Sequence, residues 1–171
     1  IVMFEGAGDY FARILGDHRL VLDELLNITC EPYRNGFCHS LSHTVGVHVR
    51  LGDFVVPKNG DALKKGSFNS RIPISWYVRQ ILKLRAAAGS CLMVNVFSDG
   101  SDHELSELLA LENVKRANFG SSVADLLALS RSGVLIASGS TFSMWASYLG
   151  RMPVIWHKGQ LKQRLYYESD G

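Results

Sequence analysis

The sequence predicts an α/β fold built on a doubly wound, mainly parallel sheet. Short valine-rich runs alternate along the chain with stretches whose apolar residues recur at helical spacing, a pattern typical of successive β-α-β units. The 171 residues are 47% apolar and 20% charged, which suits one globular domain with a real core. Polar clusters directly follow three of the apolar runs, and open α/β sheets bind ligands at the carboxyl ends of their strands.

The first 43 residues are predicted to lead into the main domain. An apolar run at 1–4 is interpreted as a strand that ends in a Gly-containing turn. Aliphatic side chains at helical spacing predict one or two helices from Asp9 to Asn27. The segment from Pro32 to His43 is interpreted as a loop. Residues 44–171 are then expected to form the ligand-binding domain.

The second part of the chain alternates between strands and helices. We predict strands at 44–51, at 92–97, from 114 onward, at 134–137 and at 154–156. Helices are predicted at 74–88, bounded by Pro73 and Gly89, and at 103–111, 124–131 and 142–149. The segment 53–71 is long and polar, and such loops are uncommon unless they serve a ligand or are disordered. Residues from Lys158 onward are expected to run along the surface.

Charge and cysteine content narrow the classes of function. The 18 Lys and Arg residues against 16 Asp and Glu residues give a net charge of +2, too balanced to predict binding to nucleic acid. Three cysteines without metal-like spacing predict neither a disulfide framework nor a zinc site. No apolar run is long enough to cross a bilayer. We therefore expect a cytoplasmic protein with no transmembrane segment in this chain, and peripheral association with a membrane as the alternative.

The most informative run is Val45–Phe54, which places four polar or conformationally special residues at and just beyond the end of a predicted strand: His48, Arg50, Gly52 and Asp53. Strand alternation puts His48 and Arg50 on one face. A guanidinium is a permanently charged, fork-shaped donor, which suits an anionic ligand such as a phosphate. The alternative is an edge-strand arginine that only pairs with Asp53.

A second polar cluster runs from Ser138 to Ser143, between a predicted strand and a predicted helix. Ser140 or Thr141 can cap that helix, and the amides of its first turn then form an anion site. A plain helix cap without a ligand is the alternative interpretation.

Two further places supply candidate ligand contacts. Asp99 follows Ser98 at the end of the strand predicted at 92–97, so it belongs to the same edge of the sheet. Asn69 and Arg71 precede the helix predicted at 74–88, and Arg71 is a hypothetical extra basic contact.

Three motifs, in this order, resemble those of the α-1,2-fucosyltransferases, within a superfamily that also includes α-1,6- and protein O-fucosyltransferases. The run His48-Val-Arg-Leu-Gly-Asp53 resembles the first motif, HxRxGD, and Val96-Phe-Ser-Asp99 resembles the second. Asp125-Leu-Leu-Ala-Leu-Ser, together with the run from Ile136 to Leu149, resembles the third. The three together are more specific than any one of them.

The resemblance implies the nucleotide-sugar domain of a two-domain (GT-B) glycosyltransferase, with a Rossmann-like fold, that transfers fucose from GDP-fucose to a glycan acceptor. Arg50 would contact the diphosphate of the leaving GDP, a role that fits what a positioned arginine does best. The base that takes the acceptor proton is left open between the missing N-terminal domain, the long segment 53–71 and Asp53, whose other role would be to orient Arg50. The chain would be the C-terminal half, so an N-terminal domain is expected in a longer protein.

The resemblance also implies roles for the remaining candidates. His48 and Asp99 would hold the guanosine, and Gly52 would lie beside the donor. The phosphates would be served by the helix amides and by the hydroxyl groups of Ser140, Thr141 and Ser143. Such enzymes usually need no metal and no other cofactor.

Departures from the family pattern keep alternatives open. Leu51 stands where many relatives carry a second arginine, Gly100 follows Asp99 where an acid is usual, and Gly139 replaces an Asn or Ser. One alternative is a transferase that uses another nucleotide sugar. The other is a non-catalytic nucleotide-binding or interaction module.

Overall fold

The computed structural model describes residues 11–57, 60–67, 69–89 and 91–160, without the side chains of residues 61 and 62. The strand predicted at 1–4 and the residues 161–171 lie outside the described part of the chain. Within it the five strands follow the predicted order, whereas α-helices also occupy two segments predicted as loops and the helix predicted at 103–111 is shorter than expected.

The described residues contain five strands: β1 (Leu41–Val49), β2 (Val94–Ser98), β3 (Val114–Arg116), β4 (Ser132–Ile136) and β5 (Val154–Ile155). All pair in parallel, in the order β3-β2-β1-β4-β5. The predicted α/β fold with a parallel sheet is therefore confirmed. β1 lies at the centre, and the chain reverses its direction of winding between β1 and β4.

Seven α-helices cover this sheet within the same residues: α1 (His18–Ile28), α2 (Glu31–Cys38), α3 (Gly60–Lys64), α4 (Ile74–Ala88), α5 (Ser106–Leu109), α6 (Ser122–Leu129) and α7 (Thr141–Gly150). A short 3-10 turn, Ala12–Ile14, precedes α1. The predicted helices at 74–88, 124–131 and 142–149 are confirmed to within about two residues, the usual uncertainty of helix ends.

The loop prediction for Pro32–His43 is wrong, because α2 occupies most of it and β1 begins at Leu41. Pro32 stands in the first turn of α2, where the missing N–H is not needed by the helix. Gly36 lets α2 approach α6 closely, since a Cβ at this position would overlap the carbonyl oxygen of Ala124. Packing between the two helices therefore stabilises a segment whose composition alone resembles a loop.

The two faces of β1 pack against different layers, as strand alternation requires. Val47 and Val49 belong to the core that includes Trp76 and Ile81 of α4. His48 points to the opposite side, where its ring stacks on Phe142 of α7. This division leaves the carboxyl end of β1 between α7 and the long segment that follows the strand.

The long segment 53–71 contains more structure than predicted. The short helix α3 interrupts it, and an isolated parallel bridge joins Val55 to Ser70. The amide of Val55 donates to the carbonyl of Asn69 at 2.8 Å, and the amide of Arg71 donates to the carbonyl of Val55 at 2.9 Å. The two ends of the segment are thus held together beside the end of β1.

Candidate functional site

The three motif-bearing strands β1, β2 and β4 are neighbours at the centre of the sheet. Val49 of β1 is in register with Ser98 of β2, and Val47 is in register with Ile136 of β4. The polar residues that follow each strand therefore meet at one edge. The crevice between β1 and β4 is the point where the winding reverses, which is where open α/β sheets bind ligands.

Arg50 stands just beyond β1 and contacts two carboxylates. Its Nε and Nη2 lie 2.9 and 2.8 Å from Oδ1 of Asp53, and its Nη1 lies 3.0 Å from Oδ2 of Asp99. The guanidinium carbon is also 6.0 Å from the centre of the Phe54 ring. The fork of the arginine is thus oriented from both sides before any ligand binds.

Asp99 is held more firmly than Asp53. Its Oδ1 accepts a hydrogen bond from the amide of Leu51 at 2.8 Å, and its Oδ2 accepts one from the amide of Gly52 at 3.0 Å. A Cβ on Gly52 would come within 2.5 Å of Oδ2, so only glycine lets the loop approach this carboxylate. Asp99 therefore fixes the backbone after β1 as well as Arg50.

The charges around Arg50 decide how an anion can enter. One guanidinium against two carboxylates leaves a local net charge of −1, which by itself repels phosphate. The Asp53 side chain is 67% exposed, whereas that of Asp99 is 29% exposed and bonded to two amides. Displacement of Asp53 by a ligand is therefore the less costly way to free the arginine fork.

His48 is the centre of a buried cluster with two serines. Its Nδ1 lies 2.7 Å from Oγ of Ser143 and 2.9 Å from Oγ of Ser138. The amide of Ser138 donates to Oγ of Ser143 at 3.1 Å. Burial lowers the pKa of His48 to about 3; the nearby Asp99 charge raises this pKa and Arg50 lowers it. The ring is therefore neutral near pH 7.

The start of α7 forms the other wall of the crevice. The side chain of Ser140 accepts a hydrogen bond from the amide of Phe142 at 3.2 Å, as an N-cap does, and Thr141 is exposed. Ser143 is fully buried and bonded to His48, so its hydroxyl faces the interior rather than the surface. The three predicted phosphate contacts consequently occupy three different environments.

Asn69 and Arg71 contact the segment that follows Asp53, through bonds to Val55 and Phe54. Arg71 donates from Nε to the carbonyl of Phe54 at 2.8 Å and contacts Glu104 through Nη1 at 3.2 Å. Asn69 has a φ of 48°, a left-handed conformation that asparagine tolerates better than most residues. Arg71 thus supports the segment after Asp53 and pairs with a carboxylate on the loop after β2.

Gln160 is a feature of the site that the sequence does not reveal. The segment from Lys158 was predicted to run along the surface, but Gln160 is buried, so this prediction is wrong at that residue. Its Nε2 donates to the carbonyl of Leu63 at 3.0 Å, and its Oε1 occupies the space that a Cβ on Gly139 would fill. Gln160 therefore connects α3 to the turn before α7, a long-range contact with no local signal.

Three observations concern what lies outside this cluster. The described residues contain no group of three or more His, Cys, Asp and Glu side chains arranged to hold a metal ion. Among the same residues no helix has the length and apolarity that crossing a membrane requires. An open apolar groove of about 490 Å³ lies elsewhere, between α1, α6 and α7, and shares no residue with the cluster around Arg50 and His48.

Comparisons with known proteins agree with the resemblance that the three motifs carry. The sequence model of glycosyl transferase family 11 matches residues 14–155, which include all three motifs. No curated protein matches the chain. Among solved structures, POFUT1 in complex with GDP is similar at 18% identity and a TM-score of 0.44, over 85% of this chain and 46% of that chain. POFUT1 in complex with GDP-fucose gives 17% identity and a TM-score of 0.43, over 85% and 46%. This chain spans less than half the length of those structures.

Proposed function

The chain belongs to glycosyl transferase family 11, and we propose that it binds the GDP-fucose donor of a fucosyltransferase that acts on a glycan acceptor. The observation that carries this proposal is the position of Arg50, at the end of the central strand and beside the crevice between β1 and β4. The fork of its guanidinium matches the oxygens of a diphosphate. We propose that catalysis takes place in a longer protein of the GT-B type.

The proposed mechanism uses Arg50 and the start of α7 to stabilise the leaving GDP. As the bond between fucose and the β-phosphate breaks, negative charge grows on the phosphate oxygens. Arg50 and the first amides of α7, capped by Ser140, supply positive charge where it develops. We propose that these groups perform this task without a metal ion.

The base that takes the acceptor proton has one candidate in this cluster. Asp53 is exposed and lies within contact of Arg50, so its carboxylate is accessible to an acceptor hydroxyl once the donor has taken its place on the arginine. We propose that Asp53 first orients Arg50 and, after displacement, is free to accept a proton. A base in the N-terminal domain is the alternative.

A non-catalytic nucleotide-binding module is the second candidate function. It is favoured by the local net charge of −1 around Arg50, which offers less positive charge to stabilise a leaving diphosphate than a site with a second arginine at position 51 would. Such a module would bind GDP without turnover. In this case Asp53 would have no proton to accept.

Calorimetric titration of the chain with GDP, GDP-fucose, UDP and ADP tests the proposal. We expect selective binding of the guanine nucleotides, and a loss of about 2 kcal/mol or more in Arg50→Ala, since charge-assisted hydrogen bonds contribute on this order. Arg79→Ala, which removes an arginine from α4, is the control and should bind as the wild type does. Equal affinity for all four nucleotides, or no effect of Arg50→Ala, would contradict the proposal. An assay of fucose transfer by the full-length protein then distinguishes a fucosyltransferase from a non-catalytic nucleotide-binding module.

A further inference from the structure

We infer that Ser138 and Ser143 are positioning residues that hold His48 in the tautomer protonated on Nε2, so that the ring offers an uncharged N–H to an anionic oxygen of the donor. The inference rests on the proposed function only for the identity of that ligand, and it assigns His48 to an anionic oxygen in place of the guanosine that the resemblance implies. The tautomer itself follows from the contacts within the cluster.

The hydrogen bonds of the cluster form a closed set around one ring nitrogen. Nδ1 of His48 has both serine hydroxyls within 2.9 Å, and the two hydroxyl oxygens lie 3.2 Å apart. The amide of Ser138 already donates to Oγ of Ser143. All three side chains are buried, so an unpaired hydroxyl proton here would cost free energy.

Counting protons distinguishes the two neutral tautomers. If Nδ1 carries the proton, it donates to one serine, that serine donates to the other, and the last hydroxyl proton has no acceptor within the cluster. If Nδ1 carries a lone pair, Ser143 donates to it and Ser138 donates to Oγ of Ser143. Both hydroxyl protons and the Nδ1 lone pair are then paired, and only the imidazole proton, on Nε2, is left for a partner outside the cluster. The first arrangement leaves two groups without a partner inside the cluster, a hydroxyl proton and the Nε2 lone pair.

The surroundings keep this donor neutral. Phe142 stacks on the ring at 4.6 Å between centroids, and burial disfavours the charged form, so a second proton on Nδ1 is not taken up near pH 7. A neutral donor attracts an anionic oxygen without adding a full charge to the crevice, where Arg50 already provides one. His48 then orients the anionic oxygen through a directional hydrogen bond, and Arg50 supplies the positive charge.

Long-range proton–nitrogen NMR spectra of the ¹⁵N-labelled chain measure the tautomer directly. The His48 signals are assigned by their absence in His48→Gln. We expect the Nε2-protonated pattern in the wild type at neutral pH, and a shift toward the other tautomer or toward a mixture in the Ser138→Ala and Ser143→Ala variants. Ser147→Ala, an equally buried serine one turn further along α7, is the matched control and should leave the His48 signals unchanged.

Two results would overturn the inference. One is an Nδ1-protonated His48 in the wild type, a measurement that needs no variant to fold. The other is an unaltered tautomer in both serine-to-alanine variants. As a second readout, Ser143→Ala should weaken GDP binding about tenfold, the equivalent of one hydrogen bond. If the wild type binds no GDP, the proposed function fails while the tautomer result stands by itself.

Discussion

Asp99 holds Arg50 across the boundary between two strands: Nη1 of the arginine lies 3.0 Å from Oδ2 of the aspartate, and the same carboxylate accepts the amides of Leu51 and Gly52. The first and second motifs are thus one structural unit. The contact between Asp99 and the guanosine that the resemblance implies stays a prediction; the contacts seen here are with the loop that carries Arg50. Its contacts describe a residue that positions the arginine.

We expect Asp99→Asn to lower the free energy of unfolding by about 1.5–3 kcal/mol, because an amide group can accept only one of the two amide hydrogen bonds and turns a donor toward Arg50. Urea denaturation measures this change. Asp102→Asn is the control, since Asp102 is exposed and pairs with Arg116 at the surface, and it should cost about 0.5 kcal/mol or less. Equal losses of unfolding free energy in the two variants would contradict the conclusion that Asp99 positions Arg50 and the loop after β1.

Asp53→Asn separates the two roles proposed for Asp53. Removal of its charge changes the local net charge from −1 to 0 and weakens the hold on the arginine fork, so GDP should bind several-fold more tightly. Calorimetry of the chain measures the affinity. If Asp53 is also the base, fucose transfer by the full-length variant should fall by about 100-fold or more. Weaker GDP binding in Asp53→Asn would refute displacement of this carboxylate by the ligand.

The contact between Gly139 and Gln160 predicts coupling between two distant segments. Gly139→Ala should destabilise the protein by about 1–3 kcal/mol, since the new methyl group would overlap Oε1 of Gln160. In a Gln160→Ala background the same change should cost less, because the obstructing side chain is absent. A double-mutant cycle in urea measures the difference. Strict additivity would show that the two residues do not touch in solution.

Burial of His48 predicts a stability that falls in acid. The unfolded chain binds a proton below pH 6.5, whereas folded His48 does so only near pH 3. Between these values the unfolded state holds more protons, so the free energy of unfolding decreases as pH falls, by up to about 1.4 kcal/mol per pH unit from this group.

Urea denaturation of the wild type and of His48→Gln across this range measures that contribution. The free energy of unfolding should fall more steeply with decreasing pH in the wild type than in His48→Gln, and the difference between the two slopes is the contribution of His48. Above pH 6.5 both proteins should show the same pH dependence. Parallel slopes throughout would mean that folded His48 takes up its proton at the pH expected of an exposed histidine.

The sequence determined the type of fold and the strands that carry the site. Valine-rich runs separated by helical spacing leave few arrangements other than a parallel sheet, because each apolar face must be covered by helices. The position of Arg50 at a strand end follows from the same pattern. These features depend on residues close together in the chain, which is why they can be read from it.

Which groups meet at that edge depends on long-range packing that the sequence pattern does not reveal. The link between Asp99 and Arg50 joins residues that are 49 positions apart, and those between His48 and its two serines span 90 and 95 positions. Two further features have the same origin. α2 packs against α6 because Gly36 allows a close approach, and Gln160 is buried in the space left by the missing side chain of Gly139. Such contacts have no local signal, because they result from how strands and helices pack and not from the propensities of neighbouring residues.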